Sequence, residues 1–239
     1  MSLLKTAITK ATPKAPKGII CGPPGCGKTT FGASAPKSII IDCENGANAI
    51  NANRTPYLAT WPEMHAWLTE LLNGKHDYKT IVIDTLDWLM RRLEEHVAGS
   101  ADNPAQTLNK SHGGYGNGKQ ALKNYVYLQL LPMLDKLVCN GTAVILLAHV
   151  SRSELTDVDG ITMEKTIPAL NKDYLETFTE WSDFVATVRY GNDNNRELVT
   201  TETPGILAKN RYTLPAIMPF TWEAFSGSIK DYQQKTFNK

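Results

Sequence analysis

The residues best suited to do chemistry lie in a glycine-rich loop near the start of the chain. Residues 22–29 read GPPGCGKT and match Gly-x-x-x-x-Gly-Lys-Ser/Thr at every defined position. Glycines let such a loop wrap a phosphate with its backbone N–H groups, and the following helix adds partial positive charge at its N-terminus. Lys28 is expected to reach the β- and γ-phosphates of a nucleoside triphosphate, and the Thr29 hydroxyl to bind Mg²⁺. The predicted nucleotide-binding residues are Gly22, Pro23, Pro24, Gly25, Cys26, Gly27, Lys28, Thr29 and Thr30.

Acidic residues that could complete this site follow two apolar segments. Residues 80–84, TIVID, end in Asp84, which is expected to hold Mg²⁺ together with Thr29. An aspartate at the end of a strand can also cap a helix, which is the alternative for Asp84. Glu44 follows the apolar segment 38–43 and could polarise a water molecule for in-line attack on the γ-phosphate. The alternative is that Glu44 caps the turn that comes after it.

The elements that must position these residues alternate between strands and helices. Continuous β-branched runs, typical of strands buried on both faces of a parallel sheet, occupy residues 18–21, 38–43, 80–84 and 142–149. Helical spacing of apolar residues occupies 29–35, 62–73, 86–98 and 120–139. Two further runs, 183–191 and 196–204, favour antiparallel strands joined by a turn. Together they predict a single α/β domain with a mostly parallel central sheet flanked by helices, and an antiparallel C-terminal extension. The predicted boundaries are an extended arm over residues 1–16 and the domain over residues 17–239.

The order of these motifs resembles the RecA/RadA recombinase core, over roughly residues 17–215. Within that class the chain is similar to the small phage RecA-like ATPases of single-strand annealing and recombination. The resemblance implies that Glu44 is the catalytic glutamate, and that Asp84 and Thr85 are the metal-binding acid and its hydroxylic neighbour. His149 falls where the larger recombinases carry a glutamine that senses the γ-phosphate. A plain hydrogen-bonded histidine is the alternative at that strand end.

A second match lies near the end of the resembling region. Residues 208–212, AKNRY, are similar to a Lys-x-Arg element of RadA-type proteins and of related hexameric helicases. The resemblance implies that Lys209 and Arg211 act across a subunit interface on a neighbour's γ-phosphate, as an arginine finger does. It therefore implies self-association into a ring or a filament. The alternative is a solvated basic edge.

Two segments match the positions of the recombinases' DNA-binding loops. Single-stranded DNA binding needs cations for the backbone and aromatic rings for stacking. The first segment, 99–119, is polar and rich in glycine, and the second follows His149. The candidate DNA-binding residues are Lys110, His112, Tyr115 and Lys119 in the first segment, and Arg152, Lys165 and Lys172 in the second. The implied partners are single-stranded DNA and a single-strand binding or annealing protein, and the alternative is mobile loops without a ligand.

Composition limits the cellular location and the binding partners that we expect for the protein. The formal net charge is only +1, so nucleic-acid binding would have to come from local loops. No apolar run approaches the ~20 residues that span a membrane, and no signal peptide is recognisable. The cytoplasm is therefore the expected location, with no membrane partner. The four cysteines lack metal-ligand spacing and are predicted to be reduced, buried thiols.

Three other functions fit parts of the sequence. A helicase or helicase-loader motor would share the same core and the Lys-x-Arg element, although no additional helicase domain is obvious. A nucleotide or small-molecule kinase usually gathers several arginines under a lid, whereas the seven arginines here are scattered. A nucleotide-gated scaffold without catalysis would have no use for Glu44.

Overall fold

A computed structural model describes residues 12–99, 107–156, 160 and 162–237, and within them strands alternate with helices. The strands are β1 (Lys17–Cys21), β2 (Ser38–Asp42), β3 (Thr80–Asp84), β4 (Ala143–Ala148), β5 (Val150–Thr156), β6 (Thr162–Pro168), β7 (Phe184–Tyr190), β8 (Arg196–Val199), β9 (Lys209–Asn210) and β10 (Ile217–Pro219). The helices are α1 (Lys28–Ala33), α2 (Trp61–Asn73), α3 (Leu86–Gly99), α4 (Asn117–Tyr125), α5 (Leu131–Cys139), α6 (Lys172–Trp181) and α7 (Trp222–Phe237). A π-helical segment, Val126–Leu130, joins α4 to α5.

The central sheet has a parallel core in the order β2-β3-β4-β1-β7. Strands β8, β9 and β10 extend it in antiparallel pairing beyond β7. The predicted α/β fold, with a mostly parallel sheet and an antiparallel extension, is therefore confirmed. The structure adds that β7 itself runs parallel to β1, since it belongs to both parts of the sheet.

Strand order brings the ends of four strands to one edge. β4 lies between β1 and β3, with Ala148 beside Cys21 and Leu147 beside Asp84. Asp84 in turn lies beside Asp42 of β2. Ligands of open parallel sheets bind outside the carboxyl ends of the strands, so this edge is where a site is expected.

Helices cover both faces because successive side chains of each strand point to opposite sides. On one face, Ile19 and Cys21 of β1 pack with apolar residues of α2, α3, α5 and α6. On the other face, Ile20 packs with Phe31 of α1 and with apolar residues of α7. Each of the strands β1, β3 and β4 therefore contributes apolar side chains to two hydrophobic cores, one on either face of the sheet.

The segment after His149 differs from its predicted form. It was expected to be a loop, but β5 and β6 pair as an antiparallel hairpin that forms a separate two-stranded sheet. Its residues are mostly polar, so the alternation of apolar and polar residues that marks a half-buried strand is weak there. Backbone pairing between the two strands, rather than burial, defines this hairpin.

Other features also went unrecognised or were predicted wrongly. Helices α6 and α7 were not predicted, although each packs apolar residues against the sheet, such as Phe178 and Phe225. Cys21, Cys26 and Cys43 are buried free thiols as predicted, but Cys139 is exposed. It is the last residue of α5, and Asn140 after it is exposed as well.

Parts of three predicted segments lie outside the described residues, including 157–159 and 161 of the second predicted DNA-binding segment. Residues 1–11 of the predicted arm are among these, while residues 12–16 have no regular secondary structure. The carbonyl of Pro16 accepts a hydrogen bond from the backbone N–H of Val144, which ties this stretch to the sheet. Residues 100–106 of the first predicted DNA-binding segment are likewise outside the described residues.

Candidate nucleotide site

The glycine-rich loop connects the buried strand β1 to α1, as its sequence predicts. Gly25 and Gly27 have φ values of 74° and 91°, a backbone region that favours glycine. A Cβ atom at Gly27 would also overlap the Arg196 guanidinium, which donates a hydrogen bond to the carbonyl of Cys26 (3.1 Å). Arg196, on β8, therefore stabilises the loop through this hydrogen bond, a contact that the sequence did not indicate.

Lys28 currently binds the loop itself. Its Nζ donates to the carbonyl oxygens of Gly22 (3.0 Å) and Pro23 (3.1 Å). The side chain is buried, so its ammonium is already removed from bulk water. An incoming phosphate would have to draw Lys28 away from these two carbonyls.

Thr29 and Asp84 meet as the sequence predicts for a metal site. The Thr29 hydroxyl donates to Asp84 Oδ2 at 2.7 Å. Burial, together with the charges of Glu44 and Asp42, raises the pKa of Asp84 to about 6, although the bond from Thr29 opposes this. A divalent cation would relieve that unfavourable buried charge, and two oxygen ligands suit Mg²⁺ delivered with a nucleotide. Thr29 and Asp84 are thus the residues that would hold the ion.

Glu44 is held by its neighbours at the edge of the sheet. The Thr85 hydroxyl donates to Glu44 Oε2 at 3.3 Å. Asp42 Oδ1 accepts the backbone N–H groups of Glu44 (3.3 Å) and Asn45 (2.7 Å), which shapes the turn that carries the glutamate. Asp42 was not identified from the sequence, although its position two residues before Glu44 at a strand end was a usable signal.

His149 lies beside Glu44 and is bound by a residue that the sequence did not single out. His149 Nε2 is 3.6 Å from Glu44 Oε1. On its other side, Nδ1 is 2.8 Å from Asp87 Oδ2, and the backbone N–H of His149 donates to Asp87 Oδ1 at 3.0 Å. The hydrogen bond to Asp87 is the main reason that the pKa of His149 is raised, although burial opposes it. Burial works against ionisation of Asp87 too, but its hydrogen bonds with His149 outweigh this and lower the pKa of that carboxyl.

These groups surround one cleft of about 300 Å³. Its lining residues are Pro24, Gly25, Gly27, Lys28, Thr29, Thr30, Glu44, Gly46, Ile50, Asp84 and His149. A second cavity of about 450 Å³ begins at Gly27 and Thr30 and extends over Phe31, Phe220 and Trp222. Of the remaining predicted loop residues, Gly22 and Pro23 contribute the carbonyls that hold Lys28, and the Cys26 side chain packs in the core.

The comparison with known protein families agrees with this geometry. The model of the AAA domain family matches residues 14–212, which is most of the chain. The chain belongs to the AAA domain family of P-loop ATPases. The match spans all residues of the cleft, whereas α7 lies beyond it. No curated protein matches the chain.

The predicted interface residues of this AAA domain do not line its own cleft. Lys209 Nζ donates to the carbonyl oxygens of Thr179 (2.7 Å) and Glu180 (2.9 Å) at the end of α6. Arg211 pairs with Asp183 at 3.3 Å and stays more than half exposed. Their predicted action on a neighbouring subunit remains a prediction.

The predicted DNA-binding residues lie in two separate places on the AAA domain. Lys110, His112 and Tyr115 precede α4 and Lys119 lies in its first turns, and the Tyr115 side chain is fully exposed. In the hairpin region, Arg152 pairs with Glu164 at 3.0 Å and Lys165 pairs with Glu202. Lys172 is the first residue of α6. The first group has fewer acidic neighbours in sequence than the second.

Two negative findings apply to the described residues of the AAA domain. None of their helices is both long and apolar enough to cross a membrane. They contain no group of three or more His, Cys, Asp or Glu side chains arranged to hold a metal ion.

Proposed function

We propose that this protein binds Mg·ATP in the cleft and hydrolyses it, with Glu44 as the general base. The observation that carries the proposal is the meeting of Lys28, the Thr29–Asp84 pair and Glu44 around one cleft of about 300 Å³. Glu44 takes a proton from a water molecule while the water oxygen attacks the γ-phosphorus. The bond from that phosphorus to the β-phosphate oxygen breaks, and ADP leaves with the electron pair.

The second cavity supports a whole nucleotide rather than phosphate alone. It shares Gly27 and Thr30 with the cleft, and its lining includes Phe31, Phe220 and Trp222. Aromatic and apolar walls suit a nucleobase, which has two flat apolar faces. The nucleoside would occupy this cavity while the phosphates follow the glycine-rich loop.

We further propose that hydrolysis is coupled to single-stranded DNA, in recombination or annealing of the phage RecA-like type. Residues 107–125 contain three lysines and no aspartate or glutamate, which favours a polyanion. Tyr115, in the same stretch of sequence, is fully exposed, as a base-stacking residue must be. Lys209 and Arg211 do not line their own cleft, as is required of residues that would act on a neighbouring subunit in a ring or filament.

The first experiment measures steady-state ATP hydrolysis with and without single-stranded DNA. Lys28→Ala should lower the rate by about 100-fold or more, because the charge that stabilises the transferring phosphoryl group is lost. Glu44→Gln should lower kcat by about 100-fold or more while nucleotide still binds, because a general base contributes on that scale. Exposed residues of the same types, Lys230 and Glu176, provide the matched controls Lys230→Ala and Glu176→Gln.

Two outcomes would contradict different parts of the proposal. Full activity in Glu44→Gln would remove Glu44 from the chemistry and reopen its role as a turn cap. A hydrolysis rate indifferent to single-stranded DNA would overturn the DNA-coupled function while leaving the ATPase intact.

A further inference from the structure

Asp87 binds His149 through both of its carboxylate oxygens. Oδ1 accepts the backbone N–H of His149 at 3.0 Å, and Oδ2 lies 2.8 Å from Nδ1 of the ring. Asp87 is the second residue of α3, and His149 directly follows β4, so the contact joins residues 62 apart in the chain. His149 lines the phosphate cleft, and Asp87 contacts His149, so both residues lie close to the cleft.

The contact with Asp87 determines which ring nitrogen of His149 carries the proton. An ionised carboxylate only accepts hydrogen bonds, so Nδ1 must be the donor. The second nitrogen, Nε2, is then turned toward Glu44 Oε1, 3.6 Å away. The charged groups that face the ring are Asp87 of α3, Glu44 after β2 and Lys28 of α1.

We propose that Asp87 is a positioning residue for ATP hydrolysis, which holds His149 with Nδ1 protonated and Nε2 directed at Glu44 and the end of the phosphate chain. This inference rests on the proposed ATPase function. An acid in the first turn of a helix is favourable in itself, but that alone would not require both oxygens to face the same histidine. Held in this way, Nε2 of the imidazole can accept a hydrogen bond when the ring is neutral and donate one when the ring is protonated. The ring can therefore respond to the charge of a γ-phosphate.

Asparagine at position 87 would break this arrangement with little change of shape. The two groups of His149 that face Asp87 are both donors, whereas an amide offers one acceptor and one donor. Asp87→Asn can therefore satisfy both only if the ring moves its proton to Nε2 and accepts at Nδ1, which is the opposite tautomer. Glutamine at position 149 keeps a side chain that can hydrogen-bond but cannot take up a proton.

The test is a double-mutant cycle on ATP hydrolysis with Asp87→Asn, His149→Gln and the double variant. Asp87→Asn should lower kcat by about 10- to 100-fold, as loss of a histidine's supporting carboxylate does elsewhere, and should change KM by less than about 3-fold. In the His149→Gln background most of this effect should disappear, because Asp87 acts through His149. Asp231→Asn, at an exposed position of α7, is the matched control.

Equal effects of Asp87→Asn in both backgrounds would overturn the proposal, because Asp87 would then act through the fold alone. A second measurement needs neither hydrolysis nor a variant of Asp87. Nitrogen NMR of histidine-labelled wild-type protein reads the ring tautomer, with the His149 signals identified by their absence from His149→Gln. Protonation at Nδ1 is expected, and a ring protonated only at Nε2 would overturn the proposal even if Asp87→Asn failed to fold. Absence of any ATP hydrolysis in the wild type would instead contradict the proposed function, and the tautomer would still be decided.

Discussion

Lys28 shows what nucleotide binding must change at the scale of single residues. Its buried ammonium is satisfied by two neutral carbonyls of its own loop, Gly22 and Pro23. Charge-assisted hydrogen bonds to phosphate oxygens are stronger than bonds to neutral acceptors. Nucleotide binding therefore requires little further desolvation of Lys28, because folding has already removed the side chain from water.

His149 leads to a prediction about pH and stability. Its pKa is raised in the folded protein, chiefly by the hydrogen bond to Asp87, so its protonation stabilises the fold. That contribution is complete below the unfolded pKa of about 6.5 and is lost as the pH rises through the folded pKa. The free energy of unfolding of wild type relative to His149→Gln should thus be greatest near about pH 6 and smaller near about pH 9.

Urea unfolding of the wild type and of His149→Gln at each pH measures the difference between their free energies of unfolding. The pKa of Asp87 is lowered, so its own contribution is present above the ordinary aspartate pKa of about 3.9 and is lost only as the pH falls. Measurements above about pH 5 therefore leave Asp87 out, and Asp84, with a pKa of about 6, titrates in both proteins that are compared. A difference that stays constant or grows toward alkaline pH would contradict the assignment of the raised pKa.

At the scale of elements, the segment before α4 presents Tyr115 on a defined turn. The backbone N–H of Asn117 donates to the carbonyl of Gly114 (3.0 Å), and that of Gly114 to the carbonyl of Ser111 (3.0 Å). The ring is fully exposed on this turn, which keeps it available for stacking. If DNA binds there, Tyr115→Ala should weaken single-stranded DNA binding by about 5- to 150-fold, since stacking of one base is worth ~1–3 kcal/mol.

Fluorescence anisotropy with a labelled oligonucleotide measures that affinity. Tyr190 is also exposed but lies at the end of β7, so Tyr190→Ala is the matched control. Equal affinity of the wild type and Tyr115→Ala would exclude this loop as the stacking surface.

Helix α7 lies beyond the residues matched by the AAA domain family and packs against the central sheet. Phe225 is fully buried, with its ring 5.0 Å from that of Phe184 and 5.7 Å from that of Phe31. Phe225→Ala should lower the free energy of unfolding by about 3–5 kcal/mol through lost burial and a residual cavity. Urea unfolding checks this against Lys230→Ala on the exposed face, which should change it by less than about 0.5 kcal/mol. A loss below about 1 kcal/mol for Phe225→Ala would show that α7 is not docked as described.

At the scale of the whole molecule, the residues that line the cleft include neither Lys209 nor Arg211 of the C-terminal region. Arg211 is bound to Asp183 instead. If Arg211 serves a neighbouring subunit, Arg211→Ala should lower kcat by about 1,000-fold without preventing ATP binding. Arg189→Ala is the matched control, since Arg189 also forms an exposed pair, with Glu197.

Mixing two inactive variants distinguishes action in trans from action in cis. Lys28→Ala retains Arg211, and Arg211→Ala retains an intact cleft, so mixed assemblies contain some complete interfaces. The mixture should hydrolyse ATP faster than the sum of the separate variants. A mixture no faster than that sum would place Arg211's effect within its own subunit.

Local pattern was sufficient to predict the parallel strands β1 to β4 and most of the residues that line the cleft, but not the parallel pairing of β7 with β1. The runs that became β1 to β4 are apolar and β-branched, because both faces of each strand are buried. Glu44 and Asp84 lie at or just after strand ends, Lys28 and Thr29 begin the helix that follows the loop after β1, and the carboxyl ends of parallel strands share one edge. Helices α6 and α7 and the β5–β6 hairpin were not recognised, because their apolar residues are sparse and their burial depends on distant partners.

The sequence by itself therefore determined the phosphate loop, the acids that accompany it and the α/β class, since each follows from residue types over a few neighbouring positions. Only the tertiary structure decided that Asp87 binds His149 and that Arg196 braces the loop at Cys26. Those pairings depend on strand order, which places β4 beside β3 and β8 near the loop. Strand order in turn is set by how helices cover the two faces of the sheet, a balance of packing over the whole chain that short-range pattern does not contain.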